Sequence, residues 1–447
     1  MNVRASNPST AKGRAAWVTL LGCCALGVAA CGDGGDGGGG GGGGRTGQAT
    51  GPTSGAKVID VDAMNDAEGT VTVCQEKDLS GNVTEAIKKF NAQHNGVTVK
   101  LVLLAAKADE QRAHFIQRQE AKSSECDVFH SDVIWTAEFA SQKWIYDMTP
   151  YVQERKSELI PATVAPATYD GKIWGMPQDT GAAFLYYRTD QIKTPPTTWQ
   201  RVYEAAKANS GIVYQGAAYE GLTCDYLELA FAAGGSVLSP DGKRATIDTP
   251  QNLKALRLMV DGVTSGAAPR AVTTYTEEET RRYWESGKAT FMRNWPYAYA
   301  LGQAKGTKVK GKFDVAPLPA FEGGGKAGIL GGHNLVISVY SKNPGAALKW
   351  IDFYTSPAWQ KHTFDQYSLP VPTASVYDDP AIQRKYPFAS QLKAAIAQAK
   401  PRPVSPVYPQ ISQAIYKNVN AALAGQTSPE DALKTAQSQI ESALTTF

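Results

Sequence analysis

The chain predicts an α/β fold, and three features of its 447 residues carry that expectation. Between residues 71 and 135, strand-like and helix-like segments alternate as β-α-β-α-β, the order that builds a mainly parallel sheet with right-handed crossovers. The same mixture of segments continues to the C-terminus, with no internal repeat after Ser54. Beyond residue 56 there remain roughly 390 residues, room for two domains of about 100–200 residues each.

Taken in order, Val71 to Cys74 alternates β-branched residues and reads as a strand. Thr84 to Gln93 follows with Ala86, Ile87 and Phe90 at helical spacing, and Asn95-Gly96 stops that helix. Val97 to Leu104 is a second strand, Glu110 to Ala121 a polar helix, and Asp127 to Trp135 a third strand. Ligands of such sheets sit beyond the carboxyl ends of the strands. Later strands are expected at Phe184 to Tyr187, Phe313 to Pro317 and Gly331 to Val339. Helices are expected at Thr198 to Ala208, Leu222 to Ala233, Gln251 to Ser265, Thr276 to Ser286, Ala346 to Tyr354 and Ser428 to Leu444. No shift in composition separates two lobes.

The N-terminus has its own logic. Arg4, Lys12 and Arg14 precede an apolar run from Ala15 to Ala30 that ends in Val28-Ala29-Ala30-Cys31. That is a charged n-region, an h-region and a small-residue cleavage site. The run is shorter than the about 20 strongly apolar residues a membrane span needs. Gly32 to Gly44 holds only glycine apart from Asp33 and Asp36, so it has nothing to bury and behaves as a flexible leash. Cleavage before a cysteine resembles a bacterial lipoprotein signal. That resemblance implies a signal peptide over 1–30, a lipid anchor on Cys31, a linker over 31–56, and a protein tethered to the outer face of the cytoplasmic membrane. Cys23 is the weaker alternative cleavage site, and an ordinary secretory signal is the other reading.

Composition narrows the function classes. Lysine and arginine number 45 against 42 acidic residues, a net charge of +3 that gives no argument for nucleic acid. After processing, Cys74, Cys126 and Cys224 remain besides the anchor. Three is odd, so at most one disulfide forms, and which two cysteines pair is left open. There is no P-loop, no His-Glu-x-x-His and no Gly-x-Ser-x-Gly, and the glycine run that matches Gly-x-Gly-x-x-Gly follows no strand and opens no helix. Five histidines show no ligand spacing, so neither a metal nor a cofactor is expected. Paired carboxylates for glycoside cleavage assemble across a fold and leave no local signature, so a cell-surface glycoside hydrolase stays open.

The densest local block is Phe291-Met292-Arg293-Asn294-Trp295-Pro296-Tyr297-Ala298-Tyr299. An aromatic face flanked by polar groups suits a sugar, which offers apolar C–H faces for stacking and a rim of hydroxyls. A core role is the alternative. Further blocks are Asp127 to Phe139, Trp144 to Tyr151, Leu185 to Asp190, Gln215 with Tyr219 to Cys224, Ala316 to Pro319, Leu330 to Gly332, Val376 to Ala381, and Pro401-Arg402-Pro403 with Tyr408. In that order and spacing the chain resembles the extracellular sugar-binding proteins of ATP-binding-cassette importers, in the branch that binds trehalose, maltose and related disaccharides.

The resemblance implies a two-lobe, type II periplasmic-binding-protein-like fold whose lobes are joined by crossing hinge strands and close on the ligand. It suggests one lobe over 57–179 and 331–369, and a second over 182–328 and 372–447. It implies a receptor rather than an enzyme, monomeric, handing a disaccharide or short oligosaccharide to a membrane permease with separate ATPase subunits. Carried over residue by residue, Asp132 accepts sugar hydroxyls, Trp295 stacks on a ring, Tyr297 lines the same wall, and the Gly331-Gly332 backbone approaches the ligand. Arg402 and Tyr408 contribute polar contacts from the second lobe. A helix N-cap or a hinge hydrogen bond is the alternative for Asp132, and Tyr219 and Glu220 either contact the ligand or fix the floor of the cleft. Several positions depart from the family pattern. Thr180 is followed by Gly181, with Asp179 one place early; His333 stands where an aromatic is usual; Ala113 replaces an arginine; and Asp78 lies near the position of an early acidic ligand. A lectin-like carbohydrate-binding protein is the remaining alternative.

Overall fold

A computed structural model of the chain describes residues 53–77, 80–93, 96–105 and 107–446. The signal segment, Cys23, Cys31, most of the leash and Asp78 lie outside the described residues. Eleven strands run along these residues: β1 (Gly69–Glu76), β2 (Val97–Leu104), β3 (Val128–Asp132), β4 (Thr168–Tyr169), β5 (Lys172–Ile173), β6 (Met176–Gly181), β7 (Phe184–Arg188), β8 (Ile212–Val213), β9 (Phe291–Asn294), β10 (Phe313–Pro317) and β11 (Gly331–Ile337). They form a five-stranded sheet in the order β2-β1-β3-β11-β6, a four-stranded sheet in the order β10-β7-β9-β8, and a small β4-β5 hairpin.

The larger sheet is covered on both faces, and the two-residue period of its strands feeds two separate cores. Val71 and Val73 of β1, Val128 of β3, and Leu335 and Ile337 of β11 join one apolar cluster with Trp350 and Ile351. Their chain neighbours Cys74, Phe129 and Val336 turn the other way, into a cluster with Phe115, Trp135 and Trp174. Around the smaller sheet, Leu185 and Phe291 pack with the helices Trp199–Ala208, Glu220–Ala232, Pro250–Thr264, Tyr408–Leu423 and Pro429–Leu444. A fourth core joins residues of both regions, with Ile160 and Phe364 beside Phe184, Tyr186 and Met292.

The expectation of mainly parallel sheets is corrected. The local β-α-β-α-β unit does give parallel β1-β2 and β1-β3 pairs. However, β11 enters from late in the chain and runs antiparallel to both β3 and β6. In the smaller sheet β7 is antiparallel to β9 and β10, and only β8 and β9 run parallel. Both sheets are mixed because the chain crosses between them. Only Ala182 and Ala183 separate β6 from β7, residues 318–330 carry it back from β10 to β11, and a third crossing follows the helix Pro357–Tyr367. There the Thr180 N–H donates to the Pro370 carbonyl at 3.2 Å.

The third strand is shorter than expected. It stops at Asp132, whose carboxylate accepts the Ile134 N–H at 3.1 Å and starts a 3-10 turn over Val133–Trp135. The helices Pro357–Tyr367, Ala389–Gln398 and Tyr408–Leu423 have no counterpart in the sequence reading. No described helix is long and apolar enough to cross a membrane.

Cys74 of β1 and Cys126, two residues before β3, form a disulfide that closes a separation of 52 residues, and Cys224 is a buried free thiol. Closing a loop of this length restricts the unfolded chain, so the paired substitution Cys74→Ser/Cys126→Ser should lower stability by about 2–4 kcal/mol in chemical denaturation. Equal midpoints for the two proteins would contradict the pairing.

Candidate ligand-binding cleft

A cleft of about 880 Å³ opens between the two sheets, within the range of roughly 300–1,000 Å³ typical of small-molecule sites. Its walls take in Glu76 and Asp132 at the carboxyl ends of β1 and β3, His130 and Asp179 two residues before the ends of β3 and β6, and Gly331-Gly332-His333 at the start of the antiparallel β11. Opposite them stand Glu220 at the head of its helix, Trp295 and Tyr297 just after β9, and Arg402. The site therefore lies beyond the strand ends, as the fold class requires.

Arg402 connects the walls. Its backbone is held between Pro401 and Pro403, and its side chain is only 4% exposed. Nη1 donates to Glu220 Oε1 at 2.8 Å, and Nη2 donates to Asp132 Oδ1 at 3.1 Å. Burial opposes its charge, yet the neighbouring carboxylates, led by Asp132, hold the guanidinium firmly protonated. Burial also pushes the Glu220 carboxyl upward against the pull of Arg402. Asp132 thus caps the 3-10 turn and meets Arg402 with the same carboxylate.

Trp295 is mounted from behind. The Arg293 guanidinium lies 4.2 Å from its ring centroid, the Tyr186 hydroxyl donates to its carbonyl at 2.8 Å, and its N–H donates to Asn294 Oδ1 at 2.8 Å. Arg293 is itself buried among Glu228, Asp225 and Gln215, with Nη1 donating to Gln215 Oε1 at 2.7 Å. A Cβ on Gly331 would come within 3.0 Å of the Trp295 ring, so the indole reaches across to the opposite wall. Gly332 has φ +126°, and a Cβ there would lie 2.4 Å from the Asp179 carbonyl. Only glycine permits that approach of β11 to β6. The β11-β6 register slips directly afterwards, between His333 and Asn334, as bulges beside functional sites commonly do.

His130 and His333 stack with ring centroids 4.1 Å apart. His130 Nδ1 meets Glu76 Oε2 at 2.8 Å and its Nε2 meets Asp179 Oδ2 at 2.8 Å, while His333 Nδ1 meets Asp179 Oδ1 at 3.0 Å. Burial pulls both imidazole pKa values down, but the Glu76 and Asp179 carboxylates outweigh it and hold His130 well above the ordinary histidine value and His333 above it. Burial raises the carboxyls in turn, and the histidines pull both below the usual range.

Most of the residues expected at the site line this cleft: Asp132, Asp179, Glu220, Trp295, Tyr297, Gly331, Gly332, His333 and Arg402. Tyr297 is tethered, its hydroxyl donating to Glu278 Oε1 at 2.8 Å. Tyr408 is the exception. It is fully buried outside the lining, and its hydroxyl donates to Glu220 Oε1 at 2.6 Å, so it acts by holding Glu220 rather than by touching a ligand. The sequence reading missed Glu76, His130 and Arg293. His130 stands two residues before Asp132, and the period of a strand puts such pairs on one face. Glu277, beside Tyr219, was also missed; burial raises its carboxyl pKa.

The profile of the bacterial extracellular solute-binding proteins matches residues 76–361. A probable ABC transporter-binding protein of Deinococcus radiodurans is 38% identical over 369 residues, 78% of this chain and 87% of that protein. The maltodextrin-binding protein MdxE of Bacillus subtilis is 23% identical over 408 residues, 85% of this chain and 92% of its own length. Among solved structures, maltose-bound MalE3 of T. maritima superposes with a TM-score of 0.79 at 34% identity, covering 83% of this chain and 99% of that one. The GacH receptor of Streptomyces glaucescens superposes with a TM-score of 0.76 at 24% identity, covering 86% and 100%. The two-lobe, type II architecture of these neighbours is the architecture of this chain.

Glu220 is the shared acceptor of Arg402, Tyr408 and Ser412. Glu220→Ala leaves a buried guanidinium short of a partner and should cost about 3–5 kcal/mol in chemical denaturation. A midpoint within error of the parent would mean that Arg402 does not depend on this carboxylate.

Proposed function

The chain belongs to the bacterial extracellular solute-binding proteins, receptors of ABC importers that work outside the cytoplasm, and from that premise we propose that its cleft captures a disaccharide or short oligosaccharide of the trehalose/maltose type. The observation that carries this reading is Trp295, an indole backed by the Arg293 guanidinium and set on the wall of a cleft that also presents Asp132, Asp179, Glu220, His333 and Arg402. A pyranose presents a C–H face to such a ring and hydroxyls to the groups around it. Gln75 Oε1 and Arg402 Nε are buried at the cleft without a hydrogen-bond partner among the described residues, which supports a ligand rich in donors and acceptors. The maltose held by MalE3 and the maltodextrin in the name of MdxE support the same class.

In this reading the lobes are residues 57–179 with 331–369 and residues 182–328 with 372–447, and the crossings between the sheets are the hinge. Sugar favours the closed state because only there do both walls touch it. Asp132, Asp179, Glu220, His333 and Arg402 read the hydroxyls, Tyr297 lines the wall, and the Gly331-Gly332 backbone passes close to the ring. His333 in place of an aromatic, and Gly181 after Thr180, favour a sugar other than trehalose or maltose themselves. Lipidation of Cys31 and the glycine leash keep the monomeric receptor near a permease driven by separate ATPase subunits.

Calorimetric titration of the purified protein across trehalose, maltose, sucrose and longer α-glucosides tests the reading. One sugar should bind one-to-one and be recovered unchanged. Release of monosaccharide would mark a glycoside hydrolase instead, and binding confined to long polymers a lectin-like protein. Trp295→Ala should weaken that binding by more than about tenfold, equivalent to about 1.4 kcal/mol, while shifting the melting temperature of the sugar-free protein only slightly. A collapse of stability without a specific loss of affinity would place Trp295 in the core.

A further inference from the structure

We propose that Glu76, His130 and His333 form a binding site for a divalent transition-metal ion of the zinc type on the wall of the cleft. The three residues come from three neighbouring strands, the end of β1, the middle of β3 and the start of β11, so the sheet itself sets their spacing. One ligand atom from each lies within 4.8 Å of those from the other two. Two imidazoles and one carboxylate are a donor set that zinc takes where a fourth position is left open. Tetrahedral bonds of about 2.1 Å ask for donor separations of about 3.4 Å. The two rings stack nearly parallel with centroids 4.1 Å apart, and an ion lies in the plane of each imidazole that binds it. His333, 27% exposed, therefore has to turn its ring toward the ion, and Glu76, 24% exposed, has to close on it, while His130 stays locked at 2%.

The support behind the donors fits a metal as well. Asp179, on the next strand, touches both rings, with Oδ2 on His130 Nε2 and Oδ1 on His333 Nδ1. A carboxylate behind metal-bound imidazoles orients the rings and raises their basicity. With Asp179 holding Nε2, the His130 Nδ1 edge that faces Glu76 is the coordinating one. Coordination there displaces the hydrogen that His130 and Glu76 now share, and it leaves as a solvent proton. All four residues border the cleft, which supplies an entry path and an open fourth position for water or a ligand oxygen. The three donors come from the protein alone, and an ion held there takes over the hydroxyl contact assigned above to His333.

The test is titration of the chelator-treated full chain with zinc chloride and, separately, cobalt chloride. One ion per chain should bind at about micromolar affinity or tighter, and the cobalt complex should show the visible absorption of a four- or five-coordinate ion. His333→Ala and Glu76→Gln should each weaken binding by at least about tenfold. His362→Ala, at the separate His362-Glu85 pair, should not. Binding weaker than about millimolar in the parent, or parental affinity in both His333→Ala and Glu76→Gln, would overturn the assignment.

Discussion

A guanidinium taken out of water has to be met by charge, and the two carboxylates that meet Arg402 come from different walls of the cleft. Asp132 ends β3 of the larger sheet, and Glu220 opens a helix packed on the smaller one. The same carboxylates are engaged elsewhere: Asp132 caps the 3-10 turn that follows its strand, and Glu220 gathers Tyr408 and Ser412. Within the cleft, Arg402 therefore joins the two walls electrically, while Lys361-Asp379 and Lys385-Asp365 pair charges away from it. Because Pro401 and Pro403 restrict the Arg402 backbone, its place is fixed by the chain and not by side-chain packing alone.

Around this junction the walls divide their labour. The larger sheet supplies polar groups in a row, one or two from each neighbouring strand, which is how a sheet gives rigid spacing without long side chains. The smaller sheet supplies Trp295, whose rear is occupied by Arg293 and whose edge reaches Gly331. Arg293 is in turn satisfied by Glu228, Asp225 and Gln215. The ring is thus held by a buried ionic cluster behind it, and the two glycines give it and β6 the space they require.

The α/β class, the first parallel unit and the aromatic block were legible in the sequence because each rests on local periodicity or composition. Asp132 was legible as both a cap and a site residue, and the structure shows it capping a turn while facing the cleft. What was not legible depends on distant pairing. The strand at Gly331 to Val339 was read, but β11 arrives some two hundred residues after β3 and inserts between β3 and β6, so no local pattern announced its antiparallel pairing. His130 and His333 show no ligand spacing for the same reason, since the sheet and not the sequence makes them neighbours. Counting cysteines allowed at most one disulfide but could not choose the pair, which adjacency of β1 and β3 decides. Tyr408 was recognised by type and misplaced by depth, because its sequence neighbours give no measure of how far Glu220 stands in front of it.

The central claim is that the cleft joined by Arg402 is where a sugar is read. A crystal structure of the full chain with its tightest-binding sugar tests it most directly. The account predicts one pyranose ring lying flat on the Trp295 indole, with hydroxyls within hydrogen-bond distance of Asp132 and of the Arg402 guanidinium. A sugar bound elsewhere on the molecule, or seated in the cleft without touching Trp295, Asp132 or Arg402, would contradict it.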